Sequence, residues 1–211
     1  MPAMTYNSLI TQIASYLNRS DVDTIAQIPN FIYQAQQRLC REVKNIGLET
    51  YATGLFTPGV WEYAKPANWR ESVTFNCGTG PTNNSRSPIE LRSYEYIISY
   101  WPDRTVTGTP LYYSDYGYNN YIIAPTPVMA FPFEFAFLGL PTPITALNQM
   151  NWFTNFAPDV LLYACLVETS PYLKDDERTA MWNNEYQTRV ASLNGQDAHR
   201  VTDRQSNRTQ D

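Results

Sequence analysis

The only imidazole in these 211 residues is His199. It lies in GQDAHRVTDRQSNRTQD, Gly195 to Asp211, a stretch with one Val and little else that is apolar. General base catalysis and His-based metal binding both need fixed partners in a sheltered place. A polar terminus provides neither. Three thiols remain, Cys40, Cys77 and Cys165, with no C-x-x-C spacing among them. Cys40 and Cys165 fall in apolar helical patterns and read as small buried groups. A carboxylate hydrolase would draw on Glu168, Asp175 and Asp176, but consecutive acids ahead of an apolar pattern ordinarily start a helix. Asp21-Val22-Asp23 lacks the Gly and the final Glu of a calcium loop. No phosphate-binding glycine motif occurs. The residues point to no enzyme, no catalytic residue, no cofactor and no metal.

A different chemistry is open to the aromatic run TPLYYSDYGYNNYIIAPTP, Thr109 to Pro127. Tyr112, Tyr113, Tyr116, Tyr118 and Tyr121 suit three uses. They fill strands, they build protein interfaces, or they stack on sugars as a carbohydrate-binding module or tail-associated adhesin.

The elements that position these groups follow from composition. Eleven of the fifteen prolines lie between residues 49 and 147, so that part is not mostly helix. Leu9, Ile10, Ile13, Ala14 and Leu17 predict a first helix over about 6–17. Asn18 to Asp21 stops it. A second helix is expected from Pro29, with Phe31, Ile32, Ala35, Leu39 and Val43 inside and Gly47 as its cap. A third runs from Pro158 to about Thr169, apolar all round, ended by Pro171. The fourth buries Trp182, Tyr186 and Val190 and pairs Glu185 with Arg189. Strands are predicted at 51–56, 60–64, 72–76, 111–115, 121–124 and 133–138; Phe133, Phe135 and Phe137 alternate with period two. Gly78 to Pro88 reads as a surface loop.

The fold class is therefore α+β: terminal helices packed as a bundle, a β-rich antiparallel insertion, and an extended C-terminal arm. The parts are residues 1–48, 49–147, 148–194 and 195–211. A net charge of −5 opposes a broad nucleic-acid grip. No stretch reaches the roughly 18 apolar residues of a membrane span. The start MPAMTYNSL has no secretory pattern, so a soluble protein without membrane contact is expected.

Three stretches carry a resemblance: Phe156 to Gly195, with its Pro-Asp helix start, Leu-Leu-Tyr and Pro-Tyr-Leu-Lys-Asp; PANWRE, Pro66 to Glu71; and YWPDRTVTGTPLYYSDYG, Tyr100 to Gly117, followed by APTP. Ile28 to Val43 adds a weaker match. On these the chain resembles the head-to-tail adaptor (head completion, tail tubular protein A-like) proteins of short-tailed bacteriophages. The resemblance implies a structural virion protein in the neck, assembled in the host cytoplasm. It implies a homo-oligomeric ring of twelve, joining portal protein to tail nozzle and lining a lumen through which genome DNA passes unbound. It also implies an arm that docks on the portal. His199, Arg200, Val201, Arg204 and Arg208 are the arm residues. Tyr112, Tyr113, Tyr116 and Tyr118 are the candidates toward the nozzle or a neighbouring subunit. Arg200, Arg204 and Arg208 stand four apart and share one side whether the arm is helical or extended.

Overall fold

The computed structural model describes residues 4–43, 45–79, 85–173 and 177–206, the last ten by backbone alone. Its contacts divide the chain into two units. One joins Met1–Leu48 to Pro141–Asp211, and the other is Glu49–Leu140.

The helical unit begins with α1, Tyr6–Leu17, capped by a reciprocal pair between Thr5 and Ser8. Asn18 ends it in the left-handed conformation, φ 50°. Helix α2 is Val22–Glu42, seven residues longer at its start than the sequence predicts. Asp21 is its cap, accepting the Thr24 amide at 3.0 Å. Pro29 is inside the helix rather than in its first turn. Burial of Ile28, Phe31 and Ile32 outweighs the single hydrogen bond that Pro removes. Gly47 does not cap it. The helix ends at Val43, and Gly47 lies in a 3-10 turn, Ile46–Leu48, under the Trp152 ring.

Helix α5 (Pro158–Leu173) and the 28-residue α6 (Thr179–Ser206) complete this unit, with the short α4 at Trp152–Phe156. Val160, Leu161, Leu162, Ala164, Cys165 and Leu166 are buried, as an all-round apolar helix requires. Pro171 does not stop α5. It sits in the last turn, so its missing N–H forfeits only the bond to the Val167 carbonyl, and the helix ends two residues later. Trp182, Tyr186, Val190 and Leu193 form the buried stripe of α6. The segment after Leu140 joins this unit through Gln36. Its buried Oε1 accepts the Ile144 amide at 2.8 Å and the Asn151 Nδ2 at 3.3 Å.

The strand unit holds β1 (Glu49–Leu55), β2 (Glu62–Ala64), β3 (Trp69–Gly78), β4 (Arg86–Leu91), β5 (Thr107–Gly108), β6 (Tyr112–Tyr116), β7 (Asn120–Ala124), β8 (Thr126–Pro127) and β9 (Pro132–Gly139). Seven form a curled sheet in the order β1-β9-β3-β4-β6-β7-β2, antiparallel except for β4 and β6. Strands β5 and β8 pair separately. The stretch read as a loop from Gly78 to Pro88 instead gives up both ends to pairing, Gly78 with Arg86 and Asn76 with Pro88. A helix not foreseen, α3 (Tyr94–Tyr100), packs on β6. Inside the sheet lie Phe56, Phe75, Tyr113, Tyr121, Phe131, Phe135 and Phe137, each 4% exposed or less. Together these elements give the α+β class.

Candidate functional site

Of the candidate carboxylates and thiols, Glu168 is paired and Cys77 and Cys165 are buried, whereas Cys40, read from the sequence as buried, is only half-buried. Glu168 on α5 receives Arg38 of α2, Nε to Oε1 2.7 Å. The Arg38 guanidinium also lies 5.8 Å over the Tyr186 ring, and Tyr186 donates to Glu42 at 2.6 Å. Three helices, α2, α5 and α6, are thus tied by one polar chain at the edge of an apolar core. Burial, then the Glu42 hydrogen bond, raises the Tyr186 phenol far above its ordinary range. Arg189 extends the tie. It pairs with Glu185, approaches Asp159 at 3.4 Å, and stands 4.2 Å over the Tyr163 ring.

None of the three cysteines is in a disulfide. Burial pushes the Cys77 thiol up to about 11 and Cys165 still higher, which disfavours the reactive thiolate. The Thr24 hydrogen bonds hold Asp21 below the usual carboxylate range, as befits a helix cap. No group of three metal-ligating side chains occurs among the described residues. Asp175 and Asp176 lie outside them.

The predicted arm falls on the end of α6. Leu193 is the last buried residue among those whose side chains are described, and Asn194 reaches the Glu42 carbonyl at 3.3 Å. Gly195 and Gln196 are exposed, with nothing within 4 Å of where a Cβ on Gly195 would be. The backbone nevertheless stays helical to Ser206, so residues 195–206 continue α6 and Gly195 is not its end. His199, Arg200, Val201 and Arg204 belong to this helical stretch. Arg208 is outside the described residues. Of the two conformations weighed for the arm, the described part takes the helix. At ~1.5 Å per residue α6 is about 42 Å long.

The tyrosines separate by strand alternation. Tyr113 and Tyr121 face the core, with rings 5.3 and 5.2 Å from Phe75. Tyr112 and Tyr116 point to the other face. Tyr112 meets Tyr96 and Trp101 at 5.7 and 5.2 Å, and Tyr116 meets Tyr94 and Trp61 at 5.5 and 5.8 Å. Tyr118, in the β6–β7 turn, is 84% exposed. A sugar platform needs ring faces open to solvent, and four of these five rings are turned against other rings.

Sequence reading missed the cations in this second aromatic layer. Arg104 lies 3.6 Å over Trp61, and Arg92 sits 5.5 and 5.8 Å over Tyr96 and Tyr112. Their signal was the placement of arginine beside aromatic runs. The stretches that carried the family likeness have mechanical roles. Trp69 closes a turn on the Pro66 carbonyl at 2.9 Å, and Lys65 covers its ring at 3.7 Å. Asp103 holds its loop through the Thr105 amide and hydroxyl at 2.9 and 2.6 Å.

No described helix is long and apolar enough to cross a membrane. The model of the SU10 adaptor protein family matches residues 4–210. No curated protein matches the chain.

Proposed function

The chain belongs to the SU10 adaptor protein family, the structural adaptors of phage necks, and from this we propose a homo-oligomeric ring, of twelve copies, joining portal to tail nozzle. The observation carrying this reading is the extent of the match. It begins at residue 4, runs through both units and includes nearly all of the polar terminus.

In this reading the helical unit builds the ring. The arm docks on the portal through His199, Arg200, Val201, Arg204 and Arg208. A helix places Arg200 and Arg204 on one side, where they can pair with carboxylates of a portal groove. Ordering is then coupled to contact, and many arms acting together make weak single contacts sufficient. The Tyr-bearing segment faces the nozzle or a neighbouring subunit. Tyr118 supplies open contact area, Tyr112 and Tyr116 support the surface, and Tyr113 anchors the strand from inside. Genome DNA passes through the lumen unheld, in keeping with a net charge of −5. The ring assembles in the host cytoplasm and performs no catalysis.

Cryo-EM of neck-bearing particles tests the reading. It expects a ring of this chain beneath the portal, with density for residues 196–206 running onto portal subunits. A ring whose C-terminal helices contact only their own subunits would remove the docking role.

A further inference from the structure

Asparagine followed directly by glycine occurs once in the sequence, at Asn194-Gly195. The pair is chemically labile. Asparagine is among the thermolabile residues, and the next peptide nitrogen is its internal nucleophile. That nitrogen attacks the side-chain carbonyl carbon, and a glycine there puts no side chain in the way. Gly195 is exposed, and nothing lies within 4 Å of where its Cβ would be, so the surroundings leave room for the reaction.

Two features of the fold oppose it. Both residues lie inside α6. The Gly195 N–H therefore belongs to the helical ladder, which runs to the carbonyl four residues back, that of Ala191. A helical side chain also leans toward the N-terminus, away from the nitrogen that follows it. The second feature is a tether: Asn194 Nδ2 donates to the Glu42 carbonyl, at the end of α2, at 3.3 Å. Ring closure needs the ladder opened at Gly195 and the amide turned away from Glu42.

That opening is local. Leu193 is the last buried residue among those whose side chains are described, and Gln196 is exposed. Glycine within a helix costs about 1 kcal/mol relative to alanine. The end of α6 can therefore uncoil from residue 194 while the core stays folded.

We propose that Asn194-Gly195 is a self-modification site at the root of the arm, locked while α6 is helical there and released when the helix frays. Water is the only co-reactant. The Gly195 nitrogen gives its proton to solvent base and bonds to Asn194 Cγ. The Cγ–Nδ2 bond breaks, and Nδ2 takes up a proton and leaves as ammonia. Water then opens the cyclic succinimide at either carbonyl, adding hydroxyl to the carbon and hydrogen to the ring nitrogen. The product is aspartate or isoaspartate, with no change of oxidation state. Each product removes the lock. Aspartate sets an acceptor against the Glu42 carbonyl where the amide donated. Isoaspartate lengthens the main chain by one carbon and breaks the helical repeat. An arm that has uncoiled and reacted does not regain the same helix across this point.

Peptide mapping by mass spectrometry, resolving aspartate from isoaspartate, follows position 194 in the full-length chain at mildly alkaline pH. The chain in concentrated urea accumulates both acids. The folded chain does so at least about tenfold more slowly, because only its frayed fraction reacts. Gln196→Pro forces Gly195 out of the helical region, beyond the last buried side chain described. In the folded protein it raises the rate toward the urea value. Gly195→Ala in urea, where no helix contributes, slows the reaction several-fold because a methyl group crowds the attacking nitrogen. Equal rates in the folded chain and in urea overturn the proposal, as does an unreacted position 194 in urea. An unchanged rate for Gln196→Pro in the folded protein, or for Gly195→Ala in urea, also overturns it. If Gln196→Pro fails to fold, the comparison of folded and urea-treated wild type decides.

Discussion

Tyr186 donates its hydroxyl to Glu42 at 2.6 Å, across 144 positions of sequence. The ring is fully buried in the helical unit, while the Glu42 side belongs to an exposed residue. The bond joins α6 to the end of α2 where core gives way to solvent.

Tyr186→Phe keeps the ring and loses the bond. It should cost about 1 kcal/mol, read from urea unfolding. The wild-type protein should also lose stability above about pH 10, the ordinary tyrosine value. There the unfolded chain gives up the phenol proton while the folded chain, with its raised phenol, retains it. Below that pH both states hold the proton and this contribution is complete. A Tyr186→Phe protein whose alkaline decline matches the wild type would show that other groups govern it.

Phe75 is the hub of the strand core, with Phe135 at 4.7 Å and Phe56, Tyr113, Tyr121 and Phe133 within 5.8 Å. Phe75→Ala should destabilise this unit by about 3–5 kcal/mol. Near-ultraviolet circular dichroism on denaturation should report it. A loss under about 1 kcal/mol would mean that the surrounding rings collapse into the space.

Gln36→Leu fills nearly the same volume and takes away an acceptor. The buried Ile144 amide is then left without its bond, at a cost of about 1–3 kcal/mol. Thermal unfolding measures the loss. Exchange at the Ile144 amide should rise with it, and an unchanged Ile144 rate would place the effect elsewhere.

Gly195 has open space where a side chain would project. Gly195→Ala should strengthen the helix there by about 1 kcal/mol and slow amide exchange over residues 196–206. Unaltered exchange would indicate that this stretch is not helical in solution.

Deleting residues 196–211 keeps every side chain described as buried. If the arm docks on the portal as proposed, particles carrying this chain should package DNA and then leak it. Nuclease sensitivity of the packaged genome is the measurement; complete, leak-free particles would remove the portal-docking role of the arm.

What was legible in the sequence was what burial alone decides. Phe133, Phe135 and Phe137 alternate because β9 turns one of its two faces to the aromatic core, and Trp182, Tyr186 and Val190 recur because α6 has one wet side. The failures share a cause, the weight given to proline and glycine. Pro29 and Pro171 looked like boundaries since each forfeits a backbone bond, yet neighbouring burial exceeds that local cost. Strand β4 was hidden because Arg86, Pro88 and Glu90 disguise a segment whose one buried residue is Ile89. Its pairing to β3 and β6 is nonlocal, so nothing within six residues announces it. The place of β1 at the end of the sheet order was invisible for the same reason: being last in a sheet is a property of topology, and no residue type encodes it.

The strand unit enters the chain at Glu49 and leaves near Leu138, and those two residues face each other in the ladder between β1 and β9. Its ends therefore emerge side by side, within about 5.5 Å at the α-carbons. A lineage of such proteins is free to lose, trade or enlarge this cassette through one narrow doorway while the helices of the other unit keep their continuity. Divergence among neck proteins should accordingly concentrate between those two gateposts.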